Sequence, residues 1–200
     1  MRFMKLVYVT HSPLYRAMDF SDNDVDHYMK FVIKKCLLSR YSVLVFEKSS
    51  QELIGIRLIS IWNRPSFFAP FDVHHLPFKL ICFAEMMDSF KNSFWHLCPS
   101  DVTTVLRREF SCVRKDFQRR GIGSRMADAF LTLDDLKAKG IDGIMSETSS
   151  IANQSLLTKK GFTPLNVLDY GNYLDVNGNR IVPKDFHDGS MKIVLNFREF

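Results

Sequence analysis

Between a stretch rich in β-formers and one with a helical rhythm, the chain reads Gln118-Arg119-Arg120-Gly121-Ile122-Gly123. A glycine-rich turn that opens a helix aims several backbone N–H groups at one point, and the helix dipole adds partial positive charge there. Gly121 and Gly123 let that backbone approach a ligand without side-chain obstruction. Lys115, Arg119, Arg120 and Arg125 add formal charge around it. The chemistry this suits is pyrophosphate binding; the alternative is an ordinary strand-to-helix turn. A Walker-type loop is absent, and the dinucleotide fingerprint Gly-x-Gly-x-x-Gly fails because Met126 stands where its third glycine belongs.

Periodicity supplies the elements that hold this loop. Thr103–Arg114 reads as a strand. Ser124–Lys139 reads as a helix with Met126, Ala129, Phe130, Leu133 and Leu136 on one side. Upstream, Asp22–Ser39 is a helix, acidic at its start and basic at its end. Ser42–Glu47 and Leu53–Trp62 are antiparallel strands joined by a turn, and residues 63–75 are a loop loaded with Phe67, Phe68 and Phe71. Ile141–Glu147 is a further strand. The tail reads as a hairpin, Leu165–Val176 and Met191–Asn196, about an Asn177-Gly178 turn. Two hundred residues, 46% hydrophobic and 24% charged, fit one α/β domain over residues 1–200 with a sizeable core.

The net charge of +5 is spread along the chain, with no reading helix or zinc framework, so nucleic acid is not an expected partner. The basic residues Arg107, Arg108, Arg114, Lys115, Arg119 and Arg120 more economically serve an anionic cofactor. Cys36, Cys82, Cys98 and Cys112 lack paired spacing and read as reduced, buried thiols of a cytoplasmic protein. The adjacent His74 and His75 diverge, so no metal site is expected. No secretory h-region or membrane-length apolar run is present, so no membrane partner is expected either.

Gln118 to Gly123 match Gln/Arg-x-x-Gly-x-Gly/Ala, and here the chain resembles the GCN5-related N-acetyltransferase superfamily, which binds acetyl-CoA with that loop. A second match follows in order: Ser149–Phe162 (SSIANQSLLTKKGF) is similar to the superfamily's helix ending in Lys-x-Gly-Phe, with Ser149 and Ser150 placed to cap it and Gly161 to end it. Glu52–Ser66 (ELIGIRLISIWNRPS) looks like the strand and Arg-Pro turn of the insect-type arylalkylamine N-acetyltransferases, and Leu76–Leu97 fits their helical insert.

The resemblance implies an α/β (α+β) fold with a central mixed, mostly antiparallel sheet flanked by helices. Its first strand and most of its first helix are missing, because Met1–His11 corresponds to that helix's end. The resemblance also implies acetyl transfer from acetyl-CoA to a small primary amine, an arylalkylamine such as tyramine, dopamine or serotonin. The backbone at Cys112 and Val113 would hold the thioester carbonyl, and Gln118, Arg119, Arg120, Gly121, Ile122, Gly123 and Ser124 the pyrophosphate. The aromatic loop either covers the core or lines the mouth of an amine pocket.

Two departures stand out. The family's base is a Glu before Pro-Leu; here Ser12 precedes Pro13-Leu14. The tyrosine that many members use as general acid falls on Leu157. Replacement candidates are Glu109 as base, aligned by strand alternation with Ser111 and Val113, with Asp19 and Asp22 behind it; Ser149, Ser150 and Ser155 can supply a hydroxyl. The competing expectation is a catalytically impaired acyl-CoA-binding relative that has lost its base.

Overall fold

A computed structural model describes residues 2–64 and 78–200. The chain runs α1 (Arg2–His11), α2 (Pro13–Ala17), α3 (Asp22–Cys36), β1 (Val43–Phe46), β2 (Leu53–Asn63), α4 (Phe78–Asn92), α5 (Phe94–Leu97) and β3 (Thr104–Val113). Then follow α6 (Ile122–Asp128), α7 (Leu133–Ala138), β4 (Gly143–Thr148), α8 (Ile151–Lys159), β5 (Thr163–Asp169) and β6 (Lys192–Glu199). Among the described residues, six strands form one sheet in the order β1-β2-β3-β4-β6-β5, parallel only where β3 meets β4. The first strand in sequence, β1, is an edge strand. The aromatic loop of Phe67, Phe68 and Phe71 and the pair His74-His75 lie outside the described residues.

Each face of the sheet buries its own core. On one face, Met4, Leu14, Val25, Met29, Val32, Phe83, Met86 and Phe94 from α1–α5 pack against Ile56, Leu58, Trp62, Val105 and Met145. On the other, Leu136 of α7 and Leu157 of α8 pack with Phe162 against Ile59, Leu106 and Ile144. α3 begins where the sequence demands: Ser21 Oγ accepts from Asp24 N–H at 3.3 Å, and Asp24 Oδ2 accepts from Ser21 N–H at 2.8 Å, a reciprocal cap. All four cysteines are free thiols. Among the described residues no helix is long and apolar enough to cross a membrane.

Two expectations fail. The single helix over Ser124–Lys139 is broken: α6 stops at Asp128, Phe130 takes φ 59°, and α7 starts after Thr132. The cause lies far away in sequence, because the buried Arg57 of β2 captures the last carbonyls of α6, as detailed below. The tail is not a long hairpin either. β5 ends at Asp169, and the Asn177-Gly178 turn closes only one bridge, Leu174 to Arg180. Val182 and Phe186 then return to the core, where Phe186 stacks on Tyr170 at 4.1 Å.

Gly143 shows how tightly β4 and β6 pack. A Cβ there would collide with the Phe197 ring and lie 2.7 Å from the Arg198 carbonyl oxygen. Gly143→Ala is therefore expected to cost about 1–3 kcal/mol of stability by overpacking, read from its denaturant midpoint.

Candidate functional site

The two central strands part company midway. β3 and β4 are registered at Val105↔Gly143, Leu106↔Ile144 and Arg107↔Met145. Beyond that point β3 stays with β2 as far as Val113, and β4 stays with β6 as far as Thr148. A bulge marks the divergence: Leu58 pairs with Phe110 and Ile59 with Arg108, so Glu109 is the extra residue of β3. Ligands in open sheets sit beyond the carboxyl ends of diverging strands. The segments emerging from those ends are the Gly121 loop and Ser149-Ser150.

The loop is built around Phe117, whose ring carries the guanidinium groups of Arg114 at 4.6 Å and Arg120 at 4.7 Å. Arg114 forks onto Asp116 at 2.8 and 2.9 Å and reaches Glu52 at 2.7 Å; Arg120 donates to the Asp116 carbonyl at 2.9 Å. Gln118 Nε2 donates to the Val113 carbonyl at 2.9 Å, tying the loop to the end of β3. Arg119 at φ 60° and Gly121 at φ 75° reverse the chain into α6. The first bond of α6 runs from Arg125 N–H to the Gly121 carbonyl at 3.0 Å. Ile122, Gly123 and Ser124 therefore present amides that a helix start leaves without intrahelical partners. Gly121 is demanded by its positive φ, since a Cβ there would meet nothing within 4 Å; at Gly123 the nearest atom would be Leu156 Cδ2 of α8 at 3.8 Å.

On the α3 face of the bulge lies a buried charge network. Glu109 Oε1 accepts from Ser60 Oγ at 2.6 Å and from Lys35 Nζ at 3.2 Å, and Arg107 Nη1 stands 3.3 Å from Oε2. Arg107 Nη2 continues to Glu147 at 3.0 Å, and its guanidinium lies 5.9 Å over the Trp62 ring. The Glu109 side chain is 1% exposed. Burial pushes its carboxyl up, but Arg107, Lys35 and Ser60 together hold it below the usual carboxylate value. Burial pulls the Lys35 ammonium down, with Glu109 opposing.

No family model matches the chain, and no curated protein matches it in sequence. Solved structures do. Drosophila melanogaster polyamine N-acetyltransferase, which forms N-acetylagmatine, superposes with a TM-score of 0.80 at 12% identity over 100% of this chain and 92% of that one. A putative arylalkylamine N-acetyltransferase 7 of the mosquito Aedes aegypti gives 0.76 at 16% identity over 99% and 81%. The C-terminal condensation domain of Ebony, solved with β-alanyl-dopamine, gives 0.72 at 15% over 96% and 88%. The chain has the fold of the GCN5-related N-acetyltransferases. At these identities the likeness is one of fold.

Within this acetyltransferase fold the sequence-derived residues separate. Gln118 to Ser124 lie together at the mouth of the divergence, with Cys112 and Val113 at the end of β3 beside it. Glu109 does not share a face with Ser111 and Val113, because the bulge breaks the alternation. Glu109 and the next residue, Phe110, both turn to α3, the one toward Lys35 and the other toward Tyr28 at 6.3 Å. Arg107 and Arg108 are buried, and Arg108 donates to Asn153 of α8 at 3.1 Å, so neither joins the exposed charge of Arg119 and Arg120. Glu147 pairs with Arg107 on the α3 face, away from α6. Burial pushes the Cys112 thiol up to about 12, with Arg108 opposing, and leaves it protonated.

Ser150, not Ser149, caps α8, accepting from Asn153 N–H at 3.3 Å. Leu157 is 0% exposed in the core and has no acid to offer. Ser12 precedes α2 and makes no side-chain cap, while Asp19 pairs with Lys184 at 3.0 Å on the surface. Sequence reasoning passed over Lys35, Ser60 and Arg57. Arg57 carried a signal: a lone charge in the otherwise apolar run LIGIRLISI.

Proposed function

We propose that this protein transfers an acetyl group from acetyl-CoA to a small primary amine, with an arylalkylamine as the foremost class. The observation that carries the reading is the divergence of β3 from β4 directly beside a positive-φ glycine loop that opens α6. The residues present fit coenzyme A. The amides of Arg119 to Ser124 face a pyrophosphate, exposed Arg119 and Arg120 add charge, and the gap between the strands takes an extended pantetheine. The backbone near Val113 polarises the thioester carbonyl. The amine nitrogen then forms its bond to the carbonyl carbon as the carbon–sulfur bond breaks. A proton leaves the amine for Glu109, directly or through water, and the departing thiolate takes one from a hydroxyl at Ser149 or Ser150.

The charge balance at Glu109 bears on the amine. Glu109 and Glu147 are matched by Lys35 and Arg107, so the pair offers no surplus negative charge for the second cation of a polyamine. That favours a monoamine. The same pairing supports a second reading, an acyl-CoA-binding relative of low activity. A carboxylate held by two cations is a weak base, and Ser12 stands where the family's Glu is expected.

Glu109→Gln separates the two. For an active enzyme it lowers turnover by about 100-fold or more with acetyl-CoA binding intact. Because Glu109 is held below the ordinary carboxylate range, it is ionised throughout pH 5–8. The wild-type kcat/KM then rises with pH as the substrate ammonium deprotonates, with no limb from Glu109 in that window. An acid limb near pH 6 that disappears in Glu109→Gln would contradict this ionisation.

A further inference from the structure

Arg57 sits on the face of β2 turned to α6 and is 0% exposed. Its guanidinium donates to four carbonyls: Nη1 to Met126 at 2.5 Å and Ala127 at 2.8 Å, Nη2 to Ala129 at 2.7 Å and Tyr41 at 2.8 Å. The first three belong to the C-terminal end of α6, where carbonyls lack intrahelical partners. The fourth lies just before β1. Among the described residues Arg57 forms no salt bridge with a carboxylate; carbonyl dipoles surround the charge. Burial pulls the guanidinium down to about 10, with Arg108 adding to the shift and Asp128 opposing it, so it remains charged at neutral pH.

α6 has seven residues, too short to hold its geometry by helix propensity. Its start carries the Gly121–Ser124 amides. Its end is fastened to the sheet by a buried cation, where the helix dipole favours one. Met126 also packs beside Gly55 of β2, its sulfur 3.5 Å from where a Cβ would stand. A clamp at one end of a two-turn rod fixes the position of the other.

We propose that Arg57 is a positioning residue for the phosphate-binding end of α6, setting the place and rigidity of the Gly121–Ser124 amides through four carbonyl hydrogen bonds. The proposal rests on the acyl-CoA reading and adds to it a residue that never touches the ligand. Its signature is selective, because only the pyrophosphate half of coenzyme A meets those amides.

The test compares dissociation constants for CoA and for pantetheine, which lacks the pyrophosphate, in wild type, Arg57→Ala and Arg57→Lys, with each variant's fold checked by circular dichroism and melting. Arg57→Ala is expected to bind CoA at least about tenfold more weakly, and pantetheine within about threefold of wild type. Arg57→Lys, which keeps the charge and loses the fork, should fall between. If Arg57→Ala does not fold, Arg57→Lys alone decides. CoA affinity within threefold of wild type in the folded variants overturns the proposal, as does equal loss of both ligands, which marks a general structural role. If wild type binds neither ligand, the acyl-CoA reading fails and this proposal falls with it.

Discussion

Gly121→Glu is expected to abolish acetyl-CoA binding in a protein that still folds. Gly121 adopts φ 75°, a conformation that costs a side-chain-bearing residue about 1–2 kcal/mol. The residue is exposed and a Cβ would meet nothing within 4 Å, so no packing is lost. The damage falls on the ligand. On the proposed reading, a carboxylate is placed at the point where the amides of Ile122, Gly123 and Ser124 would meet a pyrophosphate, and the turn that aims them is strained. The acetyl-CoA dissociation constant should rise by about 100-fold or more, roughly 3 kcal/mol. Titration calorimetry on a variant with near-native melting measures it. Unchanged affinity would remove the loop from the binding site.

The largest effect on stability is expected at Arg107. Its guanidinium holds Glu109 and Glu147, whose side chains are 1% and 7% exposed. Arg107→Met keeps most of the packing under Trp62 but removes the cation, leaving two buried carboxylates short of a partner. Breaking one side of a buried ion pair costs about 3–5 kcal/mol, and the melting temperature should fall on the order of 10 °C.

The pH dependence identifies the mechanism. In the wild type Glu109 is depressed, so its contribution is present above the unfolded carboxylate pKa and is lost as pH falls through the folded one. In Arg107→Met the strongest opposing charge is gone, and burial, then opposed by Lys35 and Ser60 alone, is expected to drive the Glu109 carboxyl upward. The folded variant then holds a proton that the unfolded chain has lost, and its stability declines as pH rises. The deficit relative to wild type should therefore be smaller at pH 5 than at pH 8. A deficit independent of pH would mean that packing, not charge, explains the loss.

What could be read from the sequence was local. Gln118 to Gly123, with the strand before them, mark a glycine turn that opens a helix, and the reversal at Gly121 follows from its residue type. Ser150, placed to cap α8, does so because its partner, the Asn153 N–H, lies three residues on. What escaped depends on pairs far apart in sequence. The end of α6 is set by Arg57, about seventy residues upstream, and no periodicity of residues 124–139 contains it. Strand alternation misplaced Glu109 because a bulge adds a residue without leaving a mark in composition. The Lys35–Glu109 contact joins residues 74 apart, and until it is known Glu109 looks like an uncommitted carboxylate.

Release of CoA from acetyl-CoA, followed with a thiol reagent across a panel of aryl and alkyl amines, reaches furthest, provided that acetyl-CoA binding is measured on the same preparation. Turnover with tyramine or serotonin that disappears in Gly121→Glu is the predicted result. Binding without turnover would leave the acyl-CoA-binding relative in which Ser12 marks the lost base. A folded protein that neither binds acetyl-CoA nor releases CoA with any amine would contradict the acetyltransferase reading outright.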